Sequence, residues 1–126
     1  MVADGNAVAD GLSVRKSVLG DEYVERALER STPFSLPLQE FLNEHCWGNT
    51  WSRAGLERKE RSIVTLVALA CGSKWQEFRT HVLGALRNGL TEDELREVLL
   101  HLAVYAGVPT AVEAFRVADE VLHPSS

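Results

Sequence analysis

At 126 residues, with 45% hydrophobic and 25% charged side chains, the chain has the composition of a globular domain, which excludes disorder, collagen-like repeats and a coiled coil. A domain of this size buries roughly two-thirds of the surface its unfolded chain exposes, enough for a core without disulfide or metal staples. Thirteen Lys and Arg against eighteen Asp and Glu give a net charge of −5 and no basic run, which argues against nucleic acid as a partner.

Residues 1–12, rich in Ala, Gly, Asp and Asn, read as a flexible arm ahead of a single domain over 13–126. They show neither a basic n-region nor an apolar h-region, and no apolar run approaches ~18 residues, so a cytoplasmic protein without a membrane partner is expected. From Asp21 the pattern is helical. Tyr23, Val24, Ala27 and Leu28 share one face of a helix that fades at Ser31-Thr32-Pro33. Ser35 is the expected N-cap of a second helix, with Pro37 in its first turn and Leu38, Phe41, Leu42 and Cys46 as its stripe, ending before Gly48. The stretch from Trp47 to Gly55 lacks a clean period and is expected to be a loop.

Between Glu57 and Ala70, Ile63, Val64, Leu66, Val67, Ala68, Leu69 and Ala70 cover most of the helical circumference, which predicts a helix buried on nearly all sides. Trp75, Phe78, Val82 and Leu86 stripe the next helix, stopped by Asn88-Gly89. Thr91-Glu92-Asp93-Glu94 is a capping box opening a helix that carries Leu95, Val98, Leu99, Leu102 and Tyr105 up to Gly107. Pro109 opens the last helix, with Val112, Phe115, Ala118 and Leu122. About six helices and no alternating strand pattern make the class all-α.

Only Cys46 and Cys71 occur, without a C-x-x-C, so neither a zinc knuckle nor a dithiol centre is expected, and two buried thiols are the simpler reading. Glu77 and His81 are one helical turn apart. They make either a solvent-facing ion pair or a carboxylate that readies an imidazole for proton transfer. His101, one turn before Tyr105, reads as an interior histidine. Reading Glu77, His81 and His101 as metal ligands would need a fourth group, and no metal site is expected. Glu44 precedes the aromatic segment of Trp47 and Trp51, and Arg15, Arg53 and Arg61 could each hold a carboxylate bidentately. In an acidic chain, Arg53 beside two indoles points to an anionic ligand.

Five motifs in order resemble the gamma-carboxymuconolactone decarboxylase family: Gly11-x-x-x-Arg15-x-x-Val18-Leu19-Gly20; Trp47-Gly48-x-x-Trp51-Ser52-Arg53-x-Gly55-Leu56; Arg61-Ser62; Glu77-x-x-x-His81-x-x-x-Ala85-x-x-Asn88-Gly89; and Glu97-x-x-x-His101-x-x-x-Tyr105-Ala106-Gly107-x-Pro109. The resemblance spans Gly11 to about Leu122. It implies the helical fold of alkyl hydroperoxidase D, assembly into homo-trimers or homo-hexamers, and cofactor-free loss of carbon dioxide from 4-carboxymuconolactone to give 3-oxoadipate enol-lactone in the beta-ketoadipate pathway of protocatechuate catabolism. In the peroxidase branch, two cysteines precede the histidine. Here those positions are Lys74 and Glu77, and Ser62 stands near the position of the expected glutamate, so thiol peroxidase chemistry is excluded.

The resemblance implies His81 as acid or oxyanion donor with Glu77 or Glu44 as its partner. It implies Arg15, Arg53 and Arg61 as carboxylate-binding groups, Trp47 and Trp51 as an apolar wall, and His101 as a further contact to a small lactone dicarboxylate. A related decarboxylase or lactone-handling enzyme on another anionic substrate, and a non-catalytic oligomeric binding module, are the alternatives.

Overall fold

The computed structural model describes residues 5–125. Among them are seven α-helices and one π-helix, with no strand: α1 (Gly5–Leu19), α2 (Asp21–Glu29), α3 (Leu36–Phe41), the π-helix (Leu42–Trp51), α4 (Arg58–Cys71), α5 (Trp75–Arg87), α6 (Glu92–Ala106) and α7 (Val108–Leu122). The all-α reading is correct, and two boundaries differ from it. The segment read as an arm is helical from Gly5 onward, while its first four residues lie outside the described residues. The segment from Trp47 read as a loop is helical up to Trp51. The chain divides between Glu57 and Arg58 into two compact units.

In the first unit, α1 has no apolar stripe to advertise it, yet it buries Gly11, Arg15, Val18 and Leu19. Gly11 is required by close approach: a Cβ there would overlap the main-chain oxygen of Asn43 and crowd the backbone of Gly48 in the π-helix. Gly20, at φ 95°, breaks α1 from α2 in a conformation that side chains resist. Ser35 is not a side-chain cap of α3. It instead exchanges hydrogen bonds with Thr32, whose amide donates to Ser35 Oγ at 2.8 Å while the Ser35 amide donates to Thr32 Oγ1 at 3.3 Å.

The expected stripe on this segment is corrected. Leu42 and Cys46 pack against this unit's apolar cluster as expected, whereas Leu38 and Phe41 are exposed and Gln39 and Asn43 turn inward. The turn then widens by one residue, the i→i+5 pattern that defines a π-helix and is frequent at functional sites. Thr50 Oγ1 follows that wider turn by donating to the His45 carbonyl at 2.9 Å, and the Ser52 hydroxyl donates to the Gly48 carbonyl. Trp47 and Trp51 stack with ring centroids 4.9 Å apart, and Trp47 packs with Val18, Leu19 and Val24 in this unit's apolar cluster.

In the second unit, α4 is buried along one stripe, Ser62, Leu66 and Ala70, rather than on all sides; Val64 is 60% exposed. The stripe packs with Phe78, Val82 and Ala85 of α5, Leu95, Leu99 and Leu102 of α6, and Ala114, Val117 and Ala118 of α7. Phe78 and Leu66 are fully buried, so truncating either to Ala removes about 3–5 or 2–5 kcal/mol respectively. The capping box forms as expected: the Glu94 amide donates to Thr91 Oγ1 and the Thr91 amide to Glu94 Oε1, both at 3.0 Å. Lys59 Nζ adds a 2.7 Å bond to the other Glu94 oxygen. Gly107, at φ 104°, separates α6 from α7. The cysteines differ from expectation. Cys46 is half-buried and Cys71 exposed, because Cys71 is rotated about 100° around α4 from inward-facing Ala70, at the helix's end.

Candidate active site

Arg15 lies one turn beyond Gly11 on α1 and is only 4% exposed. Its Nη1 donates to Gln39 Oε1 and to Asn43 Oδ1, each at 2.9 Å. Both partners are neutral amides. Burial lowers the pKa of the guanidinium, offset in part by Tyr23 and Cys46, yet Arg keeps its proton. The sequence reading missed Gln39 and Asn43, although Gln39, Asn43, Trp47 and Trp51 recur every four residues and so mark one face of the α3–π-helix segment.

On the same π-helix, Glu44 is half-buried, and its Oε1 lies 4.0 Å from His45 Nε2, a charge contact only when that imidazole is protonated. His45 in turn sits 4.7 Å, ring to ring, from Phe41. Arg53 follows the π-helix, with its amide bonded to the Thr50 carbonyl at 3.1 Å, and its side chain is exposed. Within this unit the guanidinium shielded from water is therefore that of Arg15.

In the second unit, His81 is half-buried on α5 and its Nδ1 is sealed from solvent. Burial pushes its pKa down to about 4, outweighing the opposing influence of the Glu77 carboxylate. Glu77 itself is exposed and acts on His81 through space. At neutral pH the imidazole is therefore uncharged, able to donate one hydrogen bond and accept another. That state suits an oxyanion donor better than the imidazolium acid.

His101 is exposed, contrary to the interior reading, because α6 turns Leu95, Leu99 and Leu102 inward and leaves His101 and Tyr105 on its outer face, with rings 5.1 Å apart. Both line a groove of about 700 Å³ between α4 and α6 whose floor includes Ile63, Val67 and Leu102. Glu97 stands on its rim and no arginine among the described residues lines it, so those residues offer no counter-charge for a dicarboxylate there. Arg61 is half-buried in the first turn of α4, next to fully buried Ser62, whose Oγ accepts from Asn88 Nδ2 at 2.9 Å. That bond gives Asn88 a structural task beyond ending α5. Among the described residues no three His, Cys, Asp or Glu side chains gather as a metal set.

Residues 37–120 match the Carboxymuconolactone decarboxylase family. The chain is 47% identical over 114 residues to a nitrosuccinic acid decarboxylase of Metarhizium robertsii, covering 90% of this chain and 80% of that protein. It is 41% identical over 118 residues to a 4-carboxymuconolactone decarboxylase of Acinetobacter baylyi, covering 94% of this chain and 88% of that protein. A family match over two-thirds of the chain, joined by two relatives of this identity aligned over nearly all of it, leaves one conclusion: the chain belongs to the carboxymuconolactone decarboxylase family of enzymes.

Proposed function

We propose that the protein removes carbon dioxide from a small dicarboxylate whose departing carboxylate is attached next to an electron sink carried by the substrate itself. In 4-carboxymuconolactone the sink is the unsaturated lactone: as the carbon–carboxylate bond breaks, its electron pair delocalises through the ring onto the carbonyl oxygen. Protonation of the resulting dienolate at carbon then gives 3-oxoadipate enol-lactone. The substrate supplies the electron sink, so the reaction needs no cofactor. The protein must place a donor at the developing oxyanion, hold the second carboxylate, and surround the leaving group with apolar side chains.

The observation that supports this reading is the half-buried imidazole of His81, uncharged at neutral pH because burial lowers its pKa. An imidazolium would place a full charge at the site and stabilise the ground-state carboxylate about as well as the transition state. A neutral N–H strengthens only as negative charge gathers on the oxygen. Arg15 is the proposed carboxylate-binding group, with Arg53 and Arg61 as further candidates, Trp47 and Trp51 the apolar wall, Glu77 or Glu44 the carboxylate partner of the imidazole, and His101 a further contact. The exposed side chains Phe34, Leu36, Leu38 and Phe41 in one unit, and Leu100, Val104, Tyr105 and Val108 in the other, support self-association into a trimer or hexamer.

A second substrate has its own support in the 47% identity to a nitrosuccinic acid decarboxylase. Nitrosuccinate has the same logic, a dicarboxylate in which the electrons of the breaking bond pass into a nitro group. The test is carbon dioxide release from freshly prepared 4-carboxymuconolactone and from nitrosuccinate, side by side with the same enzyme. Turnover of the lactone supports placement in protocatechuate catabolism, turnover of nitrosuccinate alone moves the substrate to the nitro acid, and turnover of neither overturns the decarboxylase reading for both.

A further inference from the structure

The geometry points to Arg15 as the anchor for the carboxylate that the substrate keeps, with Asn43 and Gln39 as neutral supports that leave its positive charge for that ligand. This deepens the decarboxylase reading and rests on it for the identity of the ligand.

Arg15 is 96% removed from solvent, and among the described residues no carboxylate lies within ion-pair distance of it. A buried cation is costly unless an anion accompanies it. Its two partners are amides at positions where Asp or Glu would differ by a single side-chain atom and would supply that anion. Amides fix the guanidinium in place by hydrogen bonds without cancelling its charge.

The distribution of those bonds is also informative. Both amide oxygens take hydrogens from Nη1, and Nε is buried with no acceptor among the described residues. The edge formed by Nε and Nη2 is the edge that meets a carboxylate with two parallel N–H···O bonds. A planar, bidentate acceptor completes the site.

The backbone around Arg15 holds that arrangement. Gly11, one turn earlier on α1, admits the main chain at Asn43, so the first turn of the π-helix lies close enough for the Asn43 side chain to reach Nη1. Arg53, the other arginine of this unit considered as an anchor, is exposed, where a contact of the same kind would compete with water. A guanidinium that cannot titrate suits a substrate group that must stay ionised while its neighbour leaves.

A carboxylate could also arrive from an Asp or Glu of a second copy of the chain, and the experiment separates the two sources. Succinate, an unreactive dicarboxylate, and succinamide, its uncharged analogue, are titrated by calorimetry into the native protein and into Asn43→Asp, Gln39→Glu and Arg15→Lys. Sedimentation and melting temperature are measured on each. Asn43→Asp is the decisive variant, since it fills the cation's need from within and is expected to keep the melting temperature at or above the parent's, whereas Arg15 variants could fail to fold.

The expected result is that the native protein binds succinate and not succinamide. Asn43→Asp then weakens succinate at least about tenfold and raises KM by a similar factor, with kcat changed less than about threefold. An unchanged succinate affinity in Asn43→Asp, or no succinate binding by the native protein, overturns the proposal. So does a shift in sedimentation without a shift in affinity, which would assign the cation to a subunit contact. Loss of succinate binding in Asn43→Asp, in a protein that decarboxylates neither candidate substrate, supports the anchor while removing the decarboxylase reading.

Discussion

His81 and Arg53 carry the predictions at the scale of single residues. The folded pKa of His81, about 4, lies below its ordinary 6.5, so the unfolded chain binds a proton more readily between those values. Stability from this group is therefore complete above about pH 6.5, falls as pH drops, and is fully lost below about pH 4. Denaturant melts across that window should show the decline in the native protein and a flatter profile in His81→Asn. A histidine proton resonance assigned to His81 should titrate near 4. If the imidazole acts as an oxyanion donor, His81→Ala reduces turnover by about 10²-fold or more, and His81→Asn, which keeps an N–H donor, recovers part of it. Equal losses in both variants would favour proton transfer over hydrogen-bond donation. Arg53, exposed to water, should tolerate Lys with a change in KM of less than about threefold; a tenfold rise would return the anchor to it.

Among the elements, the contact of α1 with the π-helix is the most demanding. Gly11→Ala places a methyl group against main-chain atoms of Asn43 and Gly48, which have no rotamer to move into. The substitution should destabilise the protein by about 1–3 kcal/mol or more, read as a lowered melting temperature, and should weaken substrate binding because Asn43 is displaced from Arg15. A variant as stable as the parent would show that the helices part without cost. At the start of α6, Thr91→Ala removes one half of the capping box and should lower stability by about 1 kcal/mol without affecting KM. Comparing the two variants separates an element that only holds the fold from one that also shapes the candidate site.

For the whole molecule, the exposed apolar side chains set the expectation. Leu100, Val104, Val108 and Val112 recur every four residues through the end of α6 and the start of α7, all largely exposed, and Val64 on α4 is exposed too. Such surfaces on a chain with a net charge of only −5 are the kind that self-association covers. Sedimentation should give a species well above the 13.9 kDa of one chain, and Val104→Asp should shift it toward the monomer. A stable monomer at micromolar concentration would remove the oligomer from the proposal.

What the sequence determined alone was the helical class, the positions of α2 and α4 to α7, the Thr91 capping box and the motifs that mark the family. Each of these is written in local spacing: apolar residues at helical intervals, a cap with its glutamate three residues on, a glycine where a helix stops. The tertiary structure decided the rest. α1 carries no regular apolar stripe because, ahead of Val18 and Leu19 at its end, what it buries is a glycine and an arginine, and their value lies in a partner about thirty residues away. The end of the π-helix, from Trp47 to Trp51, was read as a loop because its wider turn departs from the α-helical period. Leu38 and Phe41 were assigned to the interior by hydrophobicity, whereas the cation of Arg15 draws the polar Gln39 and Asn43 inward in their place. Periodicity reports which side chains avoid water, and only the folded chain shows which buried charge has no counter-ion among the described residues.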